Sequence, residues 1–110
     1  MANKTETKYE VRWETWLWND DEENYVDGPF SEKDLTVKTL KEAKELIKEF
    51  KEQHPGSFKG RISYDESLPE YGIIHQECIC DLNWNFVDEK TNEKSQMEFT
   101  VFKVIRSKEE

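Results

Sequence analysis

Apolar and polar residues alternate over residues 9–18, with Tyr9, Val11, Trp13, Thr15 and Leu17 on one side. Glu10, Arg12, Glu14, Trp16 and Trp18 fall on the other, polar at first and aromatic at the end. Side chains of an extended chain point to opposite faces in turn, so this period of two predicts a strand. The period becomes 3.6 at Leu40, where Leu40, Ala43, Ile47 and Phe50 make one stripe with Leu46 beside it. Thr39 and Glu42 match a T-x-x-E capping box, in which a hydroxyl and a carboxylate satisfy orphan backbone donors, and they start that helix. His54-Pro55-Gly56 stops it, because proline cannot continue a helix and glycine accepts the reversal.

Beyond the helix, Phe58, Ile62 and Tyr64 share one side of a strand, and Gly60 between them suits a close backbone approach. Residues 65–71, around Leu68-Pro69, read as a loop. Residues 72–87 form a long strand whose even positions, from Ile74 through Cys78, Cys80 and Leu82 to Phe86, read as the core side. Its odd positions include His75, Glu77, Asp81, Asn83 and Asn85 and read as the wet side. Lys90-Thr91-Asn92 supplies a hairpin turn, and residues 96–106 a last strand that buries Met97, Phe99, Val101 and Ile105. The expected fold class is α+β: one helix packed on a mostly antiparallel sheet of four or five strands, in β-α-β-β-β order. Residues 25–30 are the candidate for the fifth strand, as the return arm of a hairpin. The 110 residues suit one small acidic domain, with frayed ends at 1–7 and 107–110.

Composition narrows the functional classes. Acidic residues outnumber basic ones 25 to 16, for a net charge of −9, and 37% of the chain is charged against 35% hydrophobic. Such a chain has no membrane span and lacks the basic balance of a phosphate-neutralising nucleic-acid binder. Residues 1–8 contain no apolar stretch of the signal-peptide kind, so the expected location is cytoplasmic. Cys78 and Cys80, two apart on one strand, read as small buried apolar residues on the same face.

The charge is unevenly placed. Residues 19–34 hold Asp20, Asp21, Glu22, Glu23, Asp27, Glu32 and Asp34 against Lys33, and residues 65–89 hold seven acids and no base. These two segments carry −13 while the remainder carries +4. If residues 19–38 are all loop, the acids near Asp20 and those at Asp65, Glu66 and Glu70 meet at one end of the sheet. If residues 25–30 form a strand, the helix starts from the opposite end and the acidic loops separate. Trp16 and Trp18 sit immediately before Asp20, and large aromatics beside charge are a common composition for binding hot spots. The plain alternatives are that these tryptophans are covered core or seal a homodimer, and that the acids serve solubility only.

Catalytic chemistry has thin support. His75 and Glu77 stand two apart on one strand, with Asp81 further on, but no nucleophile or phosphate loop accompanies them. The acids at Asp20–Glu23 and Asp27 do not fit an EF-hand, and zinc spacing is absent, so neither a metal nor a cofactor is expected. In size, acidity and lack of a catalytic signature, the chain is similar to small phage-encoded inhibitors of bacterial defence, the anti-CRISPR and anti-restriction proteins. That similarity implies a non-enzymatic inhibitor that binds a host nuclease or its nucleic-acid channel, sometimes as a dimer. The binding residues would be Trp16, Trp18, Asp20, Asp21, Glu22, Glu23, Asp27, Asp65, Glu66 and Glu70, and the partner a basic protein. The alternative is a dimeric structural or regulatory subunit, and a small enzyme or ion-binding domain comes last.

Overall fold

Two long hairpins, each with strands of 14 and 15 residues, carry the architecture. The computed structural model describes residues 4–107. The first hairpin pairs β1 (Thr5–Asn19) with β2 (Asn24–Val37), and the second pairs β5 (Ile73–Val87) with β6 (Lys94–Ser107). Between them come helix α1 (Leu40–Gln53) and the short strands β3 (Phe58–Lys59) and β4 (Asp65–Leu68), then a 3-10 turn at Pro69–Tyr71. All pairings are antiparallel, in the order β2-β1-β6-β5-β3, with β4 also on β5. The fold is α+β. No helix among the described residues is long and apolar enough to cross a membrane.

Four departures from the expected pattern have physical causes. The sheet has six strands rather than four or five, and a second strand, β2, precedes the helix, so the order begins β-β-α; β2 contains the candidate return arm at residues 25–30 but runs on to Val37. β2 is an edge strand whose Val26, Phe30 and Leu35 are exposed, so little burial imprints alternation on it. Residues 65–71 are a strand and a 3-10 turn rather than a loop, because Asp65 and Glu66 pair through their backbone with Glu77 and Gln76. Residues 5–7, expected to fray, pair with 107–105 of β6; residues 1–3 and 108–110 lie outside the described residues.

The fourth departure is a bulge in β5. Cys78 stands opposite Phe102 but Cys80 opposite Val101, so one extra residue enters β5 and reverses the faces. Cys80, Leu82 and Trp84 turn to the helix as expected, whereas Gln76 and Cys78 turn to the other face. The two thiols therefore do not share a side. Asp81 and Asn83, read as wet, are only 5% and 7% exposed. The segment after β3 leans on them: Gly60 donates to Asp81 O at 2.7 Å, and Ile62 N–H to Asp81 Oδ2 at 3.1 Å. The expected close approach is there, since a Cβ on Gly60 would lie 2.1 Å from that Oδ2.

The core lies between the helix and the middle of the sheet, with Tyr9, Val11, Ala43, Phe50, Leu82, Phe99 and Val101 buried. Phe50 stacks on Phe99 at 4.7 Å, and Trp13 meets Phe99 edge-on at 5.2 Å. Each such ring removes enough apolar surface from water to contribute about 2–3 kcal/mol. Thr39 Oγ1 accepts the Glu42 N–H at 3.1 Å, and Glu42 Oε2 accepts the N–H of Lys38 at 3.4 Å, so the capping box forms one residue wide. The helix, 14 residues or roughly 21 Å, is short against strands of roughly 50 Å. Both ends of the sheet therefore project beyond it, and the molecule is 58 Å long.

Candidate functional site

One projecting end is acidic and aromatic. The β1–β2 turn consists of Asp20, Asp21, Glu22 and Glu23, all exposed. Asn19 shapes it: its Oδ1 accepts the Glu22 N–H at 2.9 Å, and its Nδ2 donates to Asp27 Oδ1 at 3.2 Å. Trp18 Nε1 donates to Asp20 Oδ1 at 3.0 Å, while its ring meets Tyr25 edge-on at 5.1 Å. Lys94 Nζ lies 5.5 Å from the Trp18 ring centre. Trp16 and Trp18 are both half-buried.

Antiparallel pairing brings the β5–β6 turn to this same end, because Leu17 stands opposite Ser95 and Ser95 opposite Phe86. Asp88 Oδ1 accepts the N–H groups of Lys90 and Thr91 at 2.8 and 3.2 Å, which closes the turn and adds Asp88, Glu89 and Glu93 to the end. The two adjacent turns and Asp27 thus gather eight carboxylates against Lys90 and Lys94. Asp88, Glu89 and Glu93 were not among the expected site residues. The signal for them was the antiparallel order itself, which sets the turn before the last strand beside the end of the first.

Asp65, Glu66 and Glu70 are not brought to this end. Asp65 stands opposite Glu77, Glu77 opposite Lys103, and Lys103 opposite Tyr9, ten residues along β1 from Asn19. That spacing is about 33 Å of strand. The insertion of β2 separates the loops, as the alternative topology required, and the converged acidic rim is overturned. At the far end Asp65 Oδ1 lies 3.2 Å from His75 Nδ1, and Glu66 accepts the Tyr64 hydroxyl, which raises the Tyr64 phenol above its ordinary range. His75 Nε2 is 3.9 Å from Glu77 Oε2, but Asp81 lies past the bulge, away from both. Among the described residues no three His, Cys, Asp or Glu side chains are placed to hold a metal ion.

A second acidic cluster lies on the sheet face opposite the helix. Glu32, Glu14, Glu98 and Asn83 stand directly opposite one another across β2, β1, β6 and β5. The next row reads Asp34, Arg12, Thr100 and Asp81. Arg12 Nε binds Asp34 Oδ1 at 2.8 Å and lies 3.8 Å from Glu32 Oε1; the Asp34 bond holds the guanidinium above its ordinary value. Burial, then the charges of Asp81 and Glu14, push the Glu98 carboxyl up to about 7. Glu14 and Asp81 are also raised, chiefly by burial. Asp81 Oδ1 and Asn83 Oδ1 are buried without a hydrogen-bond partner.

Comparison with protein-family models, with curated proteins and with solved structures gives no match.

Proposed function

We propose that this chain is a non-enzymatic binding protein that sets its acidic end against a basic surface of another protein. The observation that carries the reading is the pair of adjacent turns, which concentrates Asp20, Asp21, Glu22, Glu23, Asp88, Glu89 and Glu93 beside the half-buried Trp16 and Trp18. Carboxylates on a rigid sheet end present negative charge at fixed spacing, as a phosphate backbone does. A groove that binds nucleic acid is therefore the kind of surface it fits, and an inhibitor of a nucleic-acid-processing enzyme the kind of activity it supports. Charge of this density speeds encounter and makes the complex sensitive to salt, while the aromatic rings supply contact area that persists when charge is screened.

A variant with Asp20→Asn, Asp21→Asn, Glu22→Gln and Glu23→Gln tests the proposal. Partners captured by the native protein from lysate should be released by added DNA or raised salt, and the variant should capture them poorly while melting at the native temperature. Capture that resists salt, DNA and the variant alike would contradict it.

A second reading is a homodimer through the open edge of β2, where Val26 and Phe30 are exposed. Two-fold antiparallel pairing centred on Lys33 would set Glu32 against Asp34 of the second copy, and like charges directly opposite are destabilising. That one register is disfavoured, and light scattering decides between the readings: a dimer supports this one and a monomer removes it.

A further inference from the structure

The carboxylates on the helix-free face are arranged for a different task from those at the acidic end. Glu98 has a glutamate opposite it on β1 and, across the same row, Glu32 on β2. On its other side stand Asn83 and, diagonally, Asp81 of β5. Arg12 is the one base on these two rows, and it is engaged by Asp34 and Glu32. The bases beyond β3 bring no relief: Lys59 acts on the Cys80 thiol, and Arg61 is exposed. Like charges opposed across strands in a half-buried row repel unless one is neutralised. A neutral carboxylic acid has a donor to offer, and Asn83 Oδ1 and Asp81 Oδ1 are buried acceptors that lack one.

Asp81 is also the anchor of the strap formed by residues 60–64. Its backbone oxygen accepts from Gly60 and its Oδ2 from Ile62. The strap continues with Tyr64, whose carbonyl accepts the Cys78 N–H at 3.0 Å and whose ring meets Phe102 edge-on at 5.3 Å. Anything that drives Asp81 toward water must lift this strap first.

We propose that Glu98, Glu14 and Asp81 form a proton-operated latch: a proton held on Glu98 keeps the strap of residues 60–64 seated on β5, and loss of that proton loosens it. With the proton present, the Glu98 hydroxyl donates to Asn83 Oδ1 or Asp81 Oδ1 and a single negative charge fewer faces the buried Asp81. Without it, Glu14, Glu98 and Asp81 are all charged, and hydrating Asp81 requires the Ile62 bond to open.

The direction with pH follows from which state holds the proton. The seated Glu98 titrates near 7, and lifting the strap lets water reach its β5 side, so its pKa falls from there toward the ordinary 4.5 while Glu14 stays opposite it. Between these values the seated strap keeps a proton that the lifted one loses, so opening rises with pH across this window and levels off above it. For one proton the slope is at most about tenfold per pH unit. Amide hydrogen exchange at Gly60 and Ile62, corrected for intrinsic rates, reads the opening, and the carboxyl carbon shift of Glu98 reads the proton. The proposal expects a Glu98 midpoint near 7. It also expects protection of both amides to fall between pH 5 and 7 in the native protein, with that slope lost in Glu98→Gln. A Glu14→Gln variant, which removes one repelling charge, should move the Glu98 midpoint down. A Glu98 midpoint near the ordinary 4.5, or the same slope in native protein and Glu98→Gln, overturns the latch.

Discussion

The two acidic regions of this protein use the same side chains in opposite circumstances. At the projecting end, Asp20, Asp21, Glu22 and Glu23 stand on a turn in water, and the nearest structured groups are N–H donors and aromatic rings. On the helix-free face, Glu14, Glu98 and Asp81 are drawn from three strands into two adjacent rows, where burial opposes the ionisation of all three and the charges of Asp81 and Glu14 add to it at Glu98. The difference teaches that a formal charge of −9 counts carboxyl groups and not charge in play. The end holds its charge in water, whereas the face must accommodate its own within the fold.

The comparison breaks most visibly at Gly60. Alanine there would push a methyl into the Asp81 carboxylate, and no flexible chain end can yield, because Asp81 is buried and bonded to the strap. Denaturant unfolding should show a loss of about 2–4 kcal/mol. The acidic end, seven residues or about 23 Å of strand from Asp81, should keep its binding at temperatures where the variant is folded. Neutralising the four residues of the β1–β2 turn should do the converse: affinity for a basic partner falls by about tenfold or more, near 1.4 kcal/mol. Stability, read by the same unfolding measurement, should change by less than about 0.5 kcal/mol.

Smaller effects sharpen the contrast. Because the folded chain holds a proton on Glu98 up to about 7 and the unfolded chain only to 4.5, this group's contribution to stability is complete below 4.5 and gone above 7. Glu14 and Asp81 act in the same direction, since both are raised. The native protein should therefore gain resistance to denaturant as pH falls from 8 toward 5. Glu98→Gln should be the more stable protein at pH 8, by about 1 kcal/mol, with the two converging near pH 5. Trp18→Ala, which removes the ring between Tyr25 and Lys94, should cost about 0.5–1 kcal/mol, measurable as a lowered midpoint.

What the sequence made legible is what local chemistry decides. Thr39, Glu42 and Pro55 bound the helix because caps and a missing N–H act within a few residues, and the two ends agree with the structure within the last turn. The long alternations of β1, β5 and β6 are visible because one side of each is buried against α1. The start of β2 was legible at residues 25–30, the candidate return arm of a hairpin, but its run to Val37 was not, because an edge strand has little to bury, and with that went the position of Asp65, Glu66 and Glu70. The β5 bulge at Cys78–Cys80 is a matter of register against β6, so nothing in the local pattern announces that Asp81 and Asn83 turn inward. The Glu32–Glu14–Glu98 row was the least legible feature, since its members lie far apart along the chain and meet only through pairing. Gly60 alone hinted at that neighbourhood.

The central claim is that docking charge resides at the sheet end and not on the face. Its most direct test is the association rate with a captured basic partner, measured over a range of ionic strength for three proteins. These are the native chain, the four-residue turn variant, and a Glu14→Gln, Glu98→Gln variant of the face. The account predicts that the turn variant loses both the fast association and its steep salt dependence, while the face variant retains both. A face variant that loses them, beside a turn variant that keeps them, would contradict it.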